Sequence, residues 1–240
     1  MKKYRIICNL SIAVFVVIGI FLNYKEPNAV KNIILYFTTQ SNIWIMLIAL
    51  VMVFYDIAKT TIPKIVYVIK YIFTVSIMVT GIVYNLILAP QYAIYFGSFF
   101  KAYSMSVTIL HVVVTLLAFI SYVLFDENPF KRKFNLLGYT MPMLYFLFII
   151  VLSIVSSNDY IFDGMDGAPS RFPYFFLDYI NNGWFTLTGN IAKLGTFYWF
   201  LISLVLVVAI SQLLRFVQRK ISQSEFHEKY IKVHVFETEN

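Results

Sequence analysis

Six long apolar runs, separated by short loops carrying Lys and Arg, take up nearly the whole of this chain. A run of ~20 apolar residues is long enough to cross ~30 Å of hydrocarbon as a helix. Hydrocarbon offers no partner to a backbone N–H or C=O, so a spanning segment must satisfy its own hydrogen bonds, as a helix does. The expected fold is therefore all-α: an integral membrane bundle of six transmembrane helices, at Ile6–Leu22, Asn32–Phe54, Ile65–Ala89, Tyr103–Phe125, Leu136–Val155 and Gly195–Phe216. Composition agrees. With 60% hydrophobic and 13% charged residues, and a mean hydropathy of +0.76, a soluble domain of this size has no core large enough to hide the apolar surface.

Charge sets the expected orientation. With the N-terminus inside, the outer side holds Lys25, Lys31, Lys101, Arg171 and Lys193, leaving 14 of the 19 Lys and Arg on the inner side. Under the positive-inside rule both termini are then cytoplasmic, which fits a multi-pass protein of the plasma membrane. The same rule accounts for the net charge of +7, and with no basic patch on a soluble surface no nucleic-acid partner is expected. Met1–Arg5 followed by an apolar run could open a signal peptide, but no small-x-small site follows Leu22 and the run reads as an uncleaved span. Lys70, one turn inside the third span, is expected to snorkel to the inner headgroups. The single cysteine, Cys8, excludes an intramolecular disulfide or a Cys-based metal cluster and reads as a packing residue.

Residues 1–218 make one six-span domain and 219–240 a polar cytoplasmic tail. The one long connection, 156–194, is an outer loop. Asp159, Asp163 and Asp166 in it lack EF-hand spacing and read as a solvated acidic turn. From Arg171 to Tyr179 the loop becomes densely aromatic, which suits an interfacial cap over the outer face.

Five consecutive polar residues, Thr38-Thr39-Gln40-Ser41-Asn42, sit inside the second span, where hydroxyls and amides are costly. Thr38, Ser41 and Asn42 share a helix face. On the fourth span Ser104, Thr108, His111 and Thr115 form a stripe, and Asn85 falls in the outer half of the third. Thr38 and His111 each lie ~10 Å below the outer surface at 1.5 Å per residue. Two polar faces at equal depth would line an interior pocket with Gln40, Ser41, Asn85 and Thr108 in its walls. A neutral imidazole can activate a hydroxyl for acyl transfer, and an amide such as Asn42, or less directly Gln40, can stabilise the oxyanion. Asp178 on the cap is a candidate to orient His111. The alternative stands beside this: Ser and Thr in membrane helices bond their own i−4 carbonyls, Asn and Gln tie helices together, and a lone His packs. One His within the spans and no inward carboxylates make no hydrolytic metal site, so neither metal nor organic cofactor is expected.

Three segments carry a family resemblance across about residues 5–215. They are Tyr36–Asn42, Leu110–Val114 leading to Ser121–Phe125, and Phe172–Asp178. In this order they resemble a bacterial six-span group, the Pr-six-Pr type, which is similar to the eukaryotic androgen-induced protein family that includes the androgen-dependent TFPI-regulating protein. The resemblance implies an intramembrane threonine hydrolase acting on fatty acyl esters, with Thr38 as nucleophile and His111 as its histidine. Thr115 stands where that pattern has Pro, which would straighten the helix, and Phe172-Pro173-Tyr174-Phe175 stands where it has Tyr-Pro-Tyr-Pro. The expected function is thus a lipid esterase, with a membrane lipid or small hydrophobic ester as substrate. The alternative is a non-catalytic multi-pass membrane protein that binds or moves a small or lipidic ligand through the same pocket.

Overall fold

The computed structural model describes residues 2–26, 32–126, 132–156, 161–163, 169–190 and 193–222. Six of its helices are long and apolar enough to cross a membrane: α1 Lys2–Lys25, α2 Phe37–Ile57, α3 Lys64–Ile94, α4 Met105–Phe125, α5 Leu136–Val155 and α6 Thr196–Ile221. The chain is an all-α, multi-pass membrane bundle. Val17, Phe54, Ile154 and Val205 are among the large apolar side chains left on its outside, where lipid takes the place of a core.

Helices α1 to α4 close a ring in which α1 and α3 each touch both α2 and α4; α5 lies against α3, and α6 against α3 and α4. Polar contacts fix the directions. At one end the start of α1 meets the end of α2: Arg5 forms a two-pronged ion pair with Asp56. Arg5 also reaches the Tyr67 hydroxyl at the start of α3 and the Phe125 carbonyl at the end of α4. Gln218 Nε2 ties the end of α6 to the same place through the carbonyls of Tyr122 and Asp126. At the other end Ser104, just before α4, and Ser106 within it donate to Glu26, which follows α1.

Most expected spans shift by a few residues. The second begins later, because a 3-10 turn at Ile33–Leu35 and an extended Tyr36 precede α2. The third runs on through Pro90 to Ile94. The sixth continues through Ile221, so the start of the expected tail is helical; 223–240 lie outside the described residues, as do Asp159 and Asp166 of the acidic turn. Asp163 sits in a two-strand pair with Phe162 opposite Ser170.

Lys70 does not snorkel. It is fully buried, and its Nζ donates to Asn9 Oδ1 at 2.8 Å. α3 starts at Lys64, so Lys70 lies nearly two turns in and faces α1, where Asn9 offers an acceptor shared with Ser121 Oγ. Nor are inward carboxylates absent: Asp56 and Asp126 are both buried at this end. Helix α2 runs past Phe54 far enough to turn Asp56 onto Arg5, and Asp126 closes α4.

Candidate active site

Thr38 occupies the first turn of α2. Tyr36, the residue before this helix, gives it no side-chain cap, so its first N–H groups, which no helix pairs internally, look for partners elsewhere. Opposite, α4 departs from α-geometry. Residues Ile109–Val113 form a π turn in which Val114 N–H bonds the Ile109 carbonyl rather than that of Leu110. Such an inserted turn rotates the side chains that follow and is common where a helix must aim a functional group. It aims His111, which is 7% exposed. The imidazole lies against the Tyr84 ring, centroids 3.9 Å apart. Tyr84 itself opens a second π turn, Tyr84–Leu88, just before Pro90, which has no N–H to donate.

The distances assign the protons. His111 Nδ1 is 3.0 Å from the Val107 carbonyl, which can only accept, so Nδ1 carries the hydrogen. Nε2 is left with its lone pair toward Thr38 Oγ1, 3.2 Å away. The Thr38 hydroxyl therefore donates to His111. A third group completes the cluster: the Tyr174 hydroxyl lies 3.5 Å from Thr38 Oγ1 and accepts from the Thr38 backbone N–H at 3.4 Å. Burial pushes the Tyr174 phenol up to about 12, against a smaller downward pull from its bonds to Thr38, so it keeps its proton at neutral pH. Tyr174 belongs to the aromatic cap. Phe172, Pro173 and Leu177 of that segment are buried, and Phe175–Leu177 form a 3-10 turn. The two residues matched by depth thus touch, with Tyr174 as a partner that the sequence marked only as part of a cap. The signal was present in Phe172-Pro173-Tyr174, but nothing in it aims that phenol at Thr38.

The other residues singled out from sequence support the cluster rather than join it. Asn42 Nδ2 donates to the carbonyls of Thr38 (2.8 Å) and Leu110 (3.3 Å). The second is the carbonyl that the π turn releases, so Asn42 holds that turn in place and its amide hydrogens are not aimed at an oxyanion. Ser41 Oγ bonds the Thr38 carbonyl and Thr80 Oγ1. Asn85 Nδ2 bonds the Gly81 carbonyl and reaches that of His111, and Tyr103 donates to its Oδ1. Thr108 bonds its i−4 carbonyl, Ser104, the ordinary fate of a membrane threonine. Gln40 is half-buried and off the cleft walls. Asp178 does not orient His111. It caps the short helix Tyr179–Asn182 and binds Asn181, leaving the Val107 carbonyl to set the imidazole. Thr115, where a Pro would bend α4, bonds the Ile77 carbonyl of α3, and α4 is not a regular straight helix despite it.

Thr38 lines a cleft between α2, α3, α5, α6 and the cap, whose space of about 860 Å³ includes its open mouth. Its walls are mainly Phe, Tyr, Val, Leu and Trp, and none of them is charged. His111 sits behind Thr38 and does not line the cleft. Among the described residues no three His, Cys, Asp or Glu side chains converge on one point.

Compared with family models, with curated proteins and with solved structures, the chain matches none.

Proposed function

We propose that the chain is an intramembrane esterase that hydrolyses acyl esters of lipids, with Thr38 as nucleophile, His111 as general base and Tyr174 as oxyanion donor. One observation carries the reading: Thr38 Oγ1 lies 3.2 Å from an imidazole nitrogen whose tautomer is already set for accepting its proton, at the wall of an uncharged apolar cleft. Thr38 Oγ1 gives its proton to Nε2 and attacks the ester carbonyl carbon. The carbonyl oxygen becomes an oxyanion, stabilised by the Tyr174 O–H and the positive end of the α2 dipole. Nε2–H then protonates the departing alkoxide. Water, deprotonated by the same nitrogen, releases the acid from Thr38. The motif resemblance to the Pr-six-Pr type supports the same roles for Thr38 and His111.

The Lys and Arg distribution supports a plasma-membrane orientation with both termini cytoplasmic, which would put the cleft in the outer leaflet. A fluorophosphonate probe tests the chemistry, since Oγ1 would displace fluoride from phosphorus. Labelling should occur in the folded protein, vanish in Thr38→Ala and weaken strongly in His111→Ala. A wild type that takes no label, or equal labelling in all three forms, removes the esterase and leaves a lipid-binding protein.

A further inference from the structure

The polar groups in the cleft wall divide into two sets. Thr80 bonds Ser41 and the Ser76 carbonyl, and Tyr145 donates to the Leu35 carbonyl. Tyr139 and Ser203 lie 3.0 Å apart and both reach the Phe200 carbonyl, and Tyr174 is engaged with Thr38. The second set is Thr196 Oγ1 and Trp199 Nε1. Thr196 and Trp199 are residues of the cleft wall, 1% and 5% exposed, and neither polar atom has a hydrogen-bond partner among the described residues. They stand three residues apart on α6, on neighbouring positions of one face. A buried donor left unmet is costly, and native structures leave few of them. Two on one turn of one cavity wall therefore point to a ligand.

Resting on the esterase reading, we propose that Thr196 and Trp199 form a second polar subsite, which receives a neutral oxygen acceptor on the lipid whose ester Thr38 attacks. Indole Nε1–H can only donate, and a threonine hydroxyl can donate beside it. The ligand atom is thus an acceptor. It is uncharged, because no wall residue supplies a cation to offset a carboxylate taken out of water. A carbonyl meets both conditions. The substrate class is then a neutral lipid with two carbonyl groups, as in a diester, one placed at Thr38 and the other at α6.

A positional series tests this: 4-nitrophenyl dodecanoates with a single ketone moved along the chain, beside the plain dodecanoate and its ω-carboxylate. With wild-type protein in detergent micelles, one ketone position should raise kcat/KM about fivefold over the plain chain, the scale of one net hydrogen bond. Trp199→Phe and Thr196→Val should each bring that ratio toward one. Because the readout is a ratio within one variant, partial loss of folded protein cancels. Binding is read separately in Thr38→Ala, by displacement of a fluorescent dodecanol with the matching series of oxo-dodecanols. Position-dependent binding without any turnover by wild type retains the subsite and removes the esterase. Turnover with no positional preference in rate or in binding retains the esterase and overturns the subsite. A preference for the ω-carboxylate also overturns it, as does a ketone preference that survives in both variants.

Discussion

The hydrolysis proposed at Thr38 depends on which atom holds which hydrogen. The Val107 carbonyl keeps a hydrogen on His111 Nδ1, so Nε2 is a base only while it is unprotonated. Acidification should therefore end turnover, as Nε2 takes a proton and can no longer accept one from Thr38. No matching loss should come from Tyr174 on the alkaline side below about pH 10, because its phenol titrates near 12. A rate profile of 4-nitrophenyl ester hydrolysis in detergent checks both limbs, and an alkaline limb near neutrality would count against Tyr174 as the neutral donor. Tyr174→Phe should retain the aromatic cap and lose about 100-fold in kcat, the scale of one oxyanion donor. An unchanged kcat would leave Tyr174 as packing.

Two helices set that geometry through a close approach and an irregular turn. A Cβ on Gly81 of α3 would stand 2.7 Å from Thr115 Oγ1 and 2.9 Å from the His111 carbonyl oxygen. Only a residue without a Cβ lets α3 pass the π turn at this distance. Gly81→Ala should lower stability by about 1–3 kcal/mol, as overpacking does, and lower labelling of Thr38 more than the fraction folded accounts for. Adding Thr115→Ala should recover part of the thermal midpoint and little of the labelling, since the contact with the His111 backbone remains. Asn42→Leu tests the other support. It strips the released Leu110 carbonyl of its donor, which should cost about 1–3 kcal/mol and let the π turn relax, seen as a fall in kcat with thermal midpoint and labelling moving together. Equal labelling in folded Asn42→Leu protein would show that the turn holds itself.

Across the whole molecule the two ends carry different polar chemistry. The far end gathers Arg5, Asp56, Lys70 and Asp126, all drawn inside the bundle. Asp126 has no hydrogen-bond donor on either carboxylate oxygen among the described residues. Burial raises it to about 6 from its ordinary value of 3.8, while the charges of Lys70 and Arg5 pull it down and that of Asp56 pushes it up. Between about pH 4 and pH 6 the folded chain keeps a proton that the unfolded chain has released, so stability falls as pH rises through that window and levels above it. Thermal unfolding in detergent should follow this slope in the wild type and lose it in Asp126→Asn. Lys70→Met, which removes the opposing charge, should extend the slope above pH 6.

Span number, the all-α class and the depth shared by Thr38 and His111 were legible because each follows from local arithmetic: apolar length against bilayer thickness, and rise per residue along a helix. The sequence by itself also marked the second-span polar run as something that needed partners. Which partners it found was decided by tertiary structure. Asn42 turned to a carbonyl that the π turn of α4 parts from the Val114 N–H, Lys70 met Asn9 from another helix, and Tyr174 came 136 residues along the chain to reach Thr38. Helical phase assumes a constant pitch and says nothing of neighbours. An inserted turn breaks that phase, and a buried polar atom, with no water to fall back on, takes whichever acceptor or donor the packing brings within reach.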